Sequence, residues 1–310
     1  MSSRLAILCP GQGAQHAAMF DLMRQDEQGA AILQQFDLQQ RLDLDMEEVL
    51  QDPGLLFSNT HAQGLIVAAG MAAWECLRSD LPRPALVAGY SVGELTAYGV
   101  AGLWSATTAI DIARQRASCM DACVRDMPAQ GLLAVAGLAV PTVAAVASQH
   151  AVHMAIVTGF DTCIVGARGK DLLAVQQQLM AMGARTSMLP VAVASHTPLM
   201  AAALAPFAQV LANLSWQAPR SLLIAGISGG SLPTQEAAIK ALLAQLTQTI
   251  DWAACMDACA EQDIRVALEL GPGNALSRML RARHGHIACR SLADFRSLSG
   301  VLKWLHSQLD

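Results

Sequence analysis

The sequence predicts an α/β protein: a large α/β domain, with a short parallel sheet flanked by helices, that carries an inserted ferredoxin-like small domain. Three observations predict it. Short apolar, strand-like runs alternate with longer helical stretches, beginning with Leu5 to Cys9 and ending with Arg265 to Glu269. Gly89-Tyr90-Ser91-Val92-Gly93 matches G-x-S-x-G, a tight turn that joins a strand to a helix. Between about residues 127 and 194 the pattern becomes β-α-β-β-α-β, the order of a ferredoxin-like unit. The large domain is accordingly drawn as 1–126 with 195–310, and the small one as 127–194.

In order along the chain, Leu5 to Cys9 reads as a buried strand that runs into the glycine-rich turn Pro10-Gly11-Gln12-Gly13. Residues 17 to 82 read as mainly helical, with a break at Asp52-Pro53-Gly54 and a strongly apolar helix over Leu65 to Leu77. Ala85 to Ala88 is the strand before the G-x-S-x-G turn, and the spacing of Leu95, Ala97, Val100 and Leu103 behind it is that of a buried helix. Another helix covers roughly Thr107 to Asp126 and stops before Pro128.

In the small unit, strands fall at Gly131 to Ala136, Val152 to Val157, Thr162 to Val165 and Ser187 to Val193. Helices fall at Pro141 to His150 and Asp171 to Met182. The large domain resumes with a helix over 197–213, a strand Leu222 to Ile227 and a helix near 234–247. Arg265 to Glu269 is its last strand, followed by Gly271-Pro272-Gly273 and a final pair of helices.

Of the 310 residues, 53% are hydrophobic and 15% charged, ample for a large core, and aromatics are only 4%, so alanine, leucine and valine fill it. A net charge of -5 argues against a general nucleic-acid binder. Leu5 to Leu8 is too short for a secretory signal, and Pro141 splits the longest apolar run, so no membrane association is expected. A cytoplasmic protein with its eight cysteines mostly as thiols is the expectation. Cys-Met-Asp-Ala-Cys occurs twice, at 119–123 and 255–259. Two such pairs would make a four-cysteine zinc site if they met, but thiols packed on two helices is the expected reading.

A serine on such a turn is a candidate nucleophile, although the same pattern also describes a glycine turn with an idle serine. It needs a base. His196, in Ala194-Ser195-His196-Thr197-Pro198, lies where the small unit hands back to the large domain, and sites favour such seams. His284, His286 and His306 read as surface residues. An α/β-hydrolase would order its residues Ser, then Asp or Glu, then His, with Asp251 or Asp263 and His284 or His286 as candidates. That fold places several strands before its serine, whereas one clear strand precedes residue 84 here.

Four motifs in order then carry a family resemblance: Pro10-Gly11-Gln12-Gly13-Ala14-Gln15, Gly89-Tyr90-Ser91-Val92-Gly93-Glu94, Ser195-His196-Thr197-Pro198-Leu199-Met200 and Glu269-Leu270-Gly271-Pro272-Gly273. Over nearly its whole length the chain resembles the malonyl-CoA:acyl carrier protein acyltransferases. The resemblance implies that Ser91 is the nucleophile and His196 its base. It implies an oxyanion hole from the backbone N–H groups of Gln12 and Val92, and a backbone carbonyl at Gln245 orienting the histidine. Arg116 falls at the arginine that grips the substrate carboxylate; without the resemblance it reads as a helix-surface ion pair with Asp111 or Asp121.

No bound cofactor or metal is implied. Malonyl-CoA is the substrate, and the acceptor is the prosthetic-group thiol of an acyl carrier protein. Tyr90 stands where the family usually has histidine. With Tyr-Ser-Val-Gly-Glu-Leu the chain looks most like the epsilon subunit of malonate decarboxylase, which implies other decarboxylase subunits as partners. Alternatives are a transacylase of fatty-acid or polyketide synthesis, a serine thioesterase or hydrolase, and a scaffold that kept the fold. An acidic carrier needs a local basic patch, for which Arg278, Arg281, Arg283 and Arg290 are the candidates.

Overall fold

The computed structural model describes residues 4–309. Its strands are β1 (Leu5–Cys9), β2 (Leu86–Gly89), β3 (Gln130–Ala136), β4 (His153–Val157), β5 (Thr162–Arg168), β6 (Arg185–Met188), β7 (Leu222–Ile224), β8 (Ile250–Asp251), β9 (Val266–Glu269) and β10 (Ala288–Ser291). They form two five-stranded sheets.

The first sheet is parallel throughout and runs β10-β9-β1-β2-β7. Every residue of β1, β2 and β9 is buried, because a parallel sheet is covered on both faces. That is why these strands read as continuous apolar runs. The helix Asn59–Leu77 is buried on nearly all sides, and Gly93–Val100 is buried along its whole length. Helices apolar all round belong inside a core.

The second sheet runs β6-β3-β5-β4-β8. β3 pairs antiparallel with β5 and β6, and β5 antiparallel with β4. The helices Val140–Ala147 and Gly169–Ala181 cover it. β8 comes from far along the chain and joins β4 in parallel, with Thr249 donating its hydroxyl to the Met154 carbonyl. One hydrophobic cluster spans both sheets, since Leu132, Ala155 and Ile156 pack with Ala6, Leu8 and Trp252.

Several elements depart from expectation. The strand expected over Ser187 to Val193 lies at Arg185–Met188, ahead of Pro190, which has no N–H to give a ladder. The helix expected from 197 opens as a 3₁₀ segment, Pro198–Ala203, before the α-helix Leu204–Ala212. The strand after Thr162 continues to Arg168. β8 and β10 were not anticipated; each is short, and β10 alternates half-buried with buried residues.

Candidate active site

Ser91 sits directly beyond the C-terminal end of β2, between that strand and the Gly93–Val100 helix. Its φ is +56°, a left-handed conformation that side chains rarely adopt. The close fit of neighbouring backbone forces the turn. A Cβ on Gly93 would come within 2.1 Å of the Cys9 carbonyl oxygen. A Cβ on Gly11 would lie 2.7 Å from the Tyr90 carbonyl oxygen and 3.3 Å from Ser91 Cβ. The glycine-rich turn after β1 is thereby pressed against the serine turn. Gln15 braces it, accepting from the Gly13 N–H at 2.7 Å.

Ser91 Oγ is 2.8 Å from His196 Nε2. His196 Nδ1 is 2.6 Å from the backbone carbonyl oxygen of Gln245. A carbonyl can only accept, so Nδ1 carries the proton and Nε2 is left as the acceptor for the serine hydroxyl. His196 is buried, and its own backbone N–H donates to the Leu246 carbonyl. Its φ is +63°. Burial, with the charge of Arg116 second, pushes its pKa down to about 3, so the ring is neutral at physiological pH.

The backbone N–H groups of Gln12 and Val92 have no internal acceptor among the described residues. Val92 lies at the N-terminus of the Gly93–Val100 helix, where the macrodipole favours negative charge. Two unengaged donors beside a serine–histidine pair have the chemistry of an oxyanion hole.

Arg116 does not lie on the surface. It is 1% exposed on the Ala106–Asp126 helix. Its Nη1 donates to Gln63 Oε1 at 2.7 Å and its Nη2 to Gln245 Oε1 at 2.9 Å. Both acceptors are neutral amides. Asp111 pairs with Arg41 and Asp121 accepts from Asn59 and Thr60, so the ion pairs considered from sequence are not made. Burial lowers the Arg116 pKa to about 10, and the guanidinium remains charged. Gln63 Nε2 in turn donates to Asn59 Oδ1 at 2.6 Å.

Gln245 joins these groups. Its backbone carbonyl meets His196 and its side-chain oxygen meets Arg116. Its side-chain N–H₂ donates to the Ser91 carbonyl at 3.0 Å and to the carboxylate of Glu94. Glu94 also accepts from the Gly226 N–H, and burial raises its pKa to about 7. A cleft of about 540 Å³ lined by His150, His153, Pro198 and Thr249 opens beside His196.

The family model of the acyl transferase domain matches residues 7–286. The chain belongs to that family. This acyltransferase is 28% identical over 305 residues to the malonyl CoA-acyl carrier protein transacylase of Mycobacterium bovis, covering 96% of this chain and 100% of that protein. It is 29% identical over 238 residues to the polyketide synthase GfsB of Streptomyces halstedii, covering 75% of this chain and 4% of that much longer protein. Among solved structures it resembles the malonyl-CoA:acyl carrier protein transacylase of Xanthomonas oryzae, with a TM-score of 0.90, 28% identity, and 98% and 99% of the two chains covered. The corresponding enzyme of Mycobacterium tuberculosis gives a TM-score of 0.87 at 28% identity, over 96% and 99% of the chains.

Other sequence-level candidates fall away from the acyltransferase site. His284 faces Asp257, Asp251 caps a helix through the Ala254 N–H, and Asp263 pairs with Arg4. Glu269 is buried and accepts from the Leu276 and Ser277 N–H groups, so its motif caps the Ala275–Arg283 helix. Of the four arginines singled out after it, Arg281 donates to the Cys289 carbonyl and Arg283 forms a two-pronged pair with Asp257. Arg290 lies 3.9 Å over the Phe295 ring, and Arg278 is exposed. All eight cysteines are free thiols; the two Cys-Met-Asp-Ala-Cys segments belong to separate cores, and no cluster of metal-ligating residues occurs among the described residues. Nor is any described helix long and apolar enough to cross a membrane.

Glu94 and Gln63 are the site residues that sequence reasoning passed over. Glu94 was visible inside its motif, but a glutamate at the start of a helix reads as an ordinary first-turn acid. Gln63 carried no signal.

Proposed function

We propose that this acyltransferase moves a malonyl group from malonyl-CoA to the prosthetic-group thiol of an acyl carrier protein, through a malonyl-Ser91 ester. The observation that carries the reading is Arg116: a buried guanidinium beside the serine–histidine pair whose two partners are neutral amides. Neither hydrogen-bonded partner is a carboxylate, and a planar fork suits one. The relatives of matching length, named as malonyl transacylases, support the same substrate.

In the first half-reaction Ser91 Oγ attacks the thioester carbonyl while His196 Nε2 takes its proton. The developing oxyanion is held by the Gln12 and Val92 N–H groups. When the carbonyl re-forms, the C–S bond breaks and CoA leaves with the proton from His196. A carrier thiol then attacks malonyl-Ser91, giving its proton to His196, which returns it to Ser91 as the ester breaks. The Gln245 carbonyl holds the imidazole in the tautomer that both halves need. The thioester and the thiol supply the reacting groups, so this chemistry calls for no bound cofactor.

We read residues 127–194 as a ferredoxin-like insertion, on the support of the strand order β6-β3-β5-β4 with two covering helices, and residues 1–126 with 195–310 as the catalytic domain. Carrier docking on the Ala275–Arg283 helix rests chiefly on Arg278. The eight free thiols suit a cytoplasmic setting. Two pathways fit the activity. Tyr90, at the position where the family usually has histidine, favours the malonyl-loading subunit of malonate decarboxylase; the relatives named as malonyl transacylase and as polyketide synthase favour fatty-acid or polyketide synthesis.

Incubation with labelled malonyl-CoA tests the reading. A stable label on Ser91 that a carrier thiol discharges is the expected result, with none in Ser91→Ala. Rapid release of free malonate would make the protein a hydrolase, and no label would make it a scaffold. Offering the labelled enzyme each type of carrier separates the two pathways.

A further inference from the structure

We propose that Glu94 is a positioning residue of the transfer site, acting through the Gln245 amide on both His196 and Arg116, and that it is the anion with which an incoming substrate carboxylate competes at Arg116. The inference rests on the malonyl reading above.

The geometry leaves the Gln245 side chain no freedom. Its N–H₂ donates to the Ser91 carbonyl and to Glu94, and its oxygen accepts from Arg116. Glu94 is 1% exposed, and its other oxygen is anchored on the Gly226 N–H. Glu94 therefore fixes which end of the amide faces Arg116. By fixing that residue it also fixes the backbone carbonyl that holds His196 Nδ1. Both carboxylate oxygens accept hydrogen bonds, which is the pattern of the ionised form.

The charges support the second half of the proposal. Arg116 and Glu94 act on each other across the amide. Tyr98 on Glu94's own helix and Cys255 on the Trp252–Glu261 helix also feel its charge, and burial pushes both well above their ordinary values. His196 is pushed down to about 3 and Arg116 lies at about 10. Glu94, raised to about 7, is thus the member of this buried set that titrates near neutrality. Below that pH its proton leaves the Arg116 charge available to the substrate. Above it, two anions share one guanidinium. A malonyl carboxylate is itself ionised throughout.

The experiment is the pH dependence of kcat and KM, from about pH 6 to 8.5, for malonyl-CoA and acetyl-CoA in wild type and Glu94→Gln. In wild type the malonyl KM rises with pH by up to about tenfold per unit above Glu94's pKa, while the acetyl KM stays flat. In Glu94→Gln the malonyl KM becomes flat and no higher than wild type at pH 8. At the same time kcat falls roughly 10- to 100-fold for both thioesters, from the loosened histidine. A residue serving the fold alone would not split kcat from KM in this way.

An unchanged pH profile of the malonyl KM in the variant, or an unchanged kcat, overturns the proposal. If Glu94→Gln does not fold, Ser91→Ala is titrated with malonyl-CoA and acetyl-CoA at pH 7.5, in buffers of different ionisation heat. Proton uptake with malonyl alone supports the proposal, and equal uptake or none overturns it. Formation of the covalent malonyl label on wild type is scored separately, so failure of the substrate reading is not confused with failure of this one.

Discussion

Arg116 shows how much one buried side chain can decide. On the sequence it is one of several arginines on a long helix, with aspartates at suitable spacing to pair on a surface. In the structure it is turned inward onto two glutamines, and the aspartates are engaged elsewhere. Removing it should cost malonyl transfer about 2–5 kcal/mol, roughly 30- to 4000-fold in kcat/KM. Acetyl transfer should lose far less, since acetyl has no carboxylate. Lysine should rescue only in part, because a point charge does not reproduce the planar fork. The check is kcat/KM for both thioesters in wild type, Arg116→Ala and Arg116→Lys; equal losses would assign Arg116 to the fold or to the CoA moiety. The pairing of Ser91 with His196 was legible because each sits in a local backbone setting that leaves a trace, a glycine turn and a strand-to-helix seam. Gln63 and Glu94 were not legible as partners of Arg116, because what joins them is proximity across three helices.

At the level of elements, the serine turn depends on glycines that admit neighbouring backbone. A methyl group on Gly93 would fall 2.1 Å from the Cys9 carbonyl and 2.6 Å from that of Pro10. Gly93→Ala must push β1 and its following turn away from the serine. We expect destabilisation of about 1–3 kcal/mol, the usual cost of overpacking, and loss of the covalent label as the Gln12 N–H withdraws. Urea midpoints and labelling measure both; wild-type values for each would show that the turn has slack. The buried parallel strands β1, β2 and β9 were readable because burial on both faces demands unbroken apolar runs. β10 and β8 were not, since four and two residues respectively are too few to establish a period. The slip of β6 was foreseeable from Pro190, whose missing N–H weighs more than the apolar residues around it.

Taken whole, the molecule is held together by the apolar layer between its two sheets. Trp252 is fully buried there, against residues from both. Trp252→Ala should destabilise by about 3–5 kcal/mol. The shared core and the β4–β8 pairing should also make the sheets unfold together. Calorimetry of the wild type should give one transition whose calorimetric and van't Hoff enthalpies agree. Two resolved transitions would mean that the small unit melts independently. The β-α-β-β-α-β order of elements from β3 to β6 was readable in the sequence, but the borrowed strand β8 was not, because it lies some sixty residues further on.

That borrowed strand has a mechanical consequence. The chain runs from Gln245, whose carbonyl steadies the histidine, straight into β8, which is stitched to the second sheet, and then into Trp252 between the layers. The segment works as a short tether with the proton acceptor at one end and the small sheet at the other. The orientation of the imidazole is therefore tied, through a few residues of backbone, to the position of the second sheet.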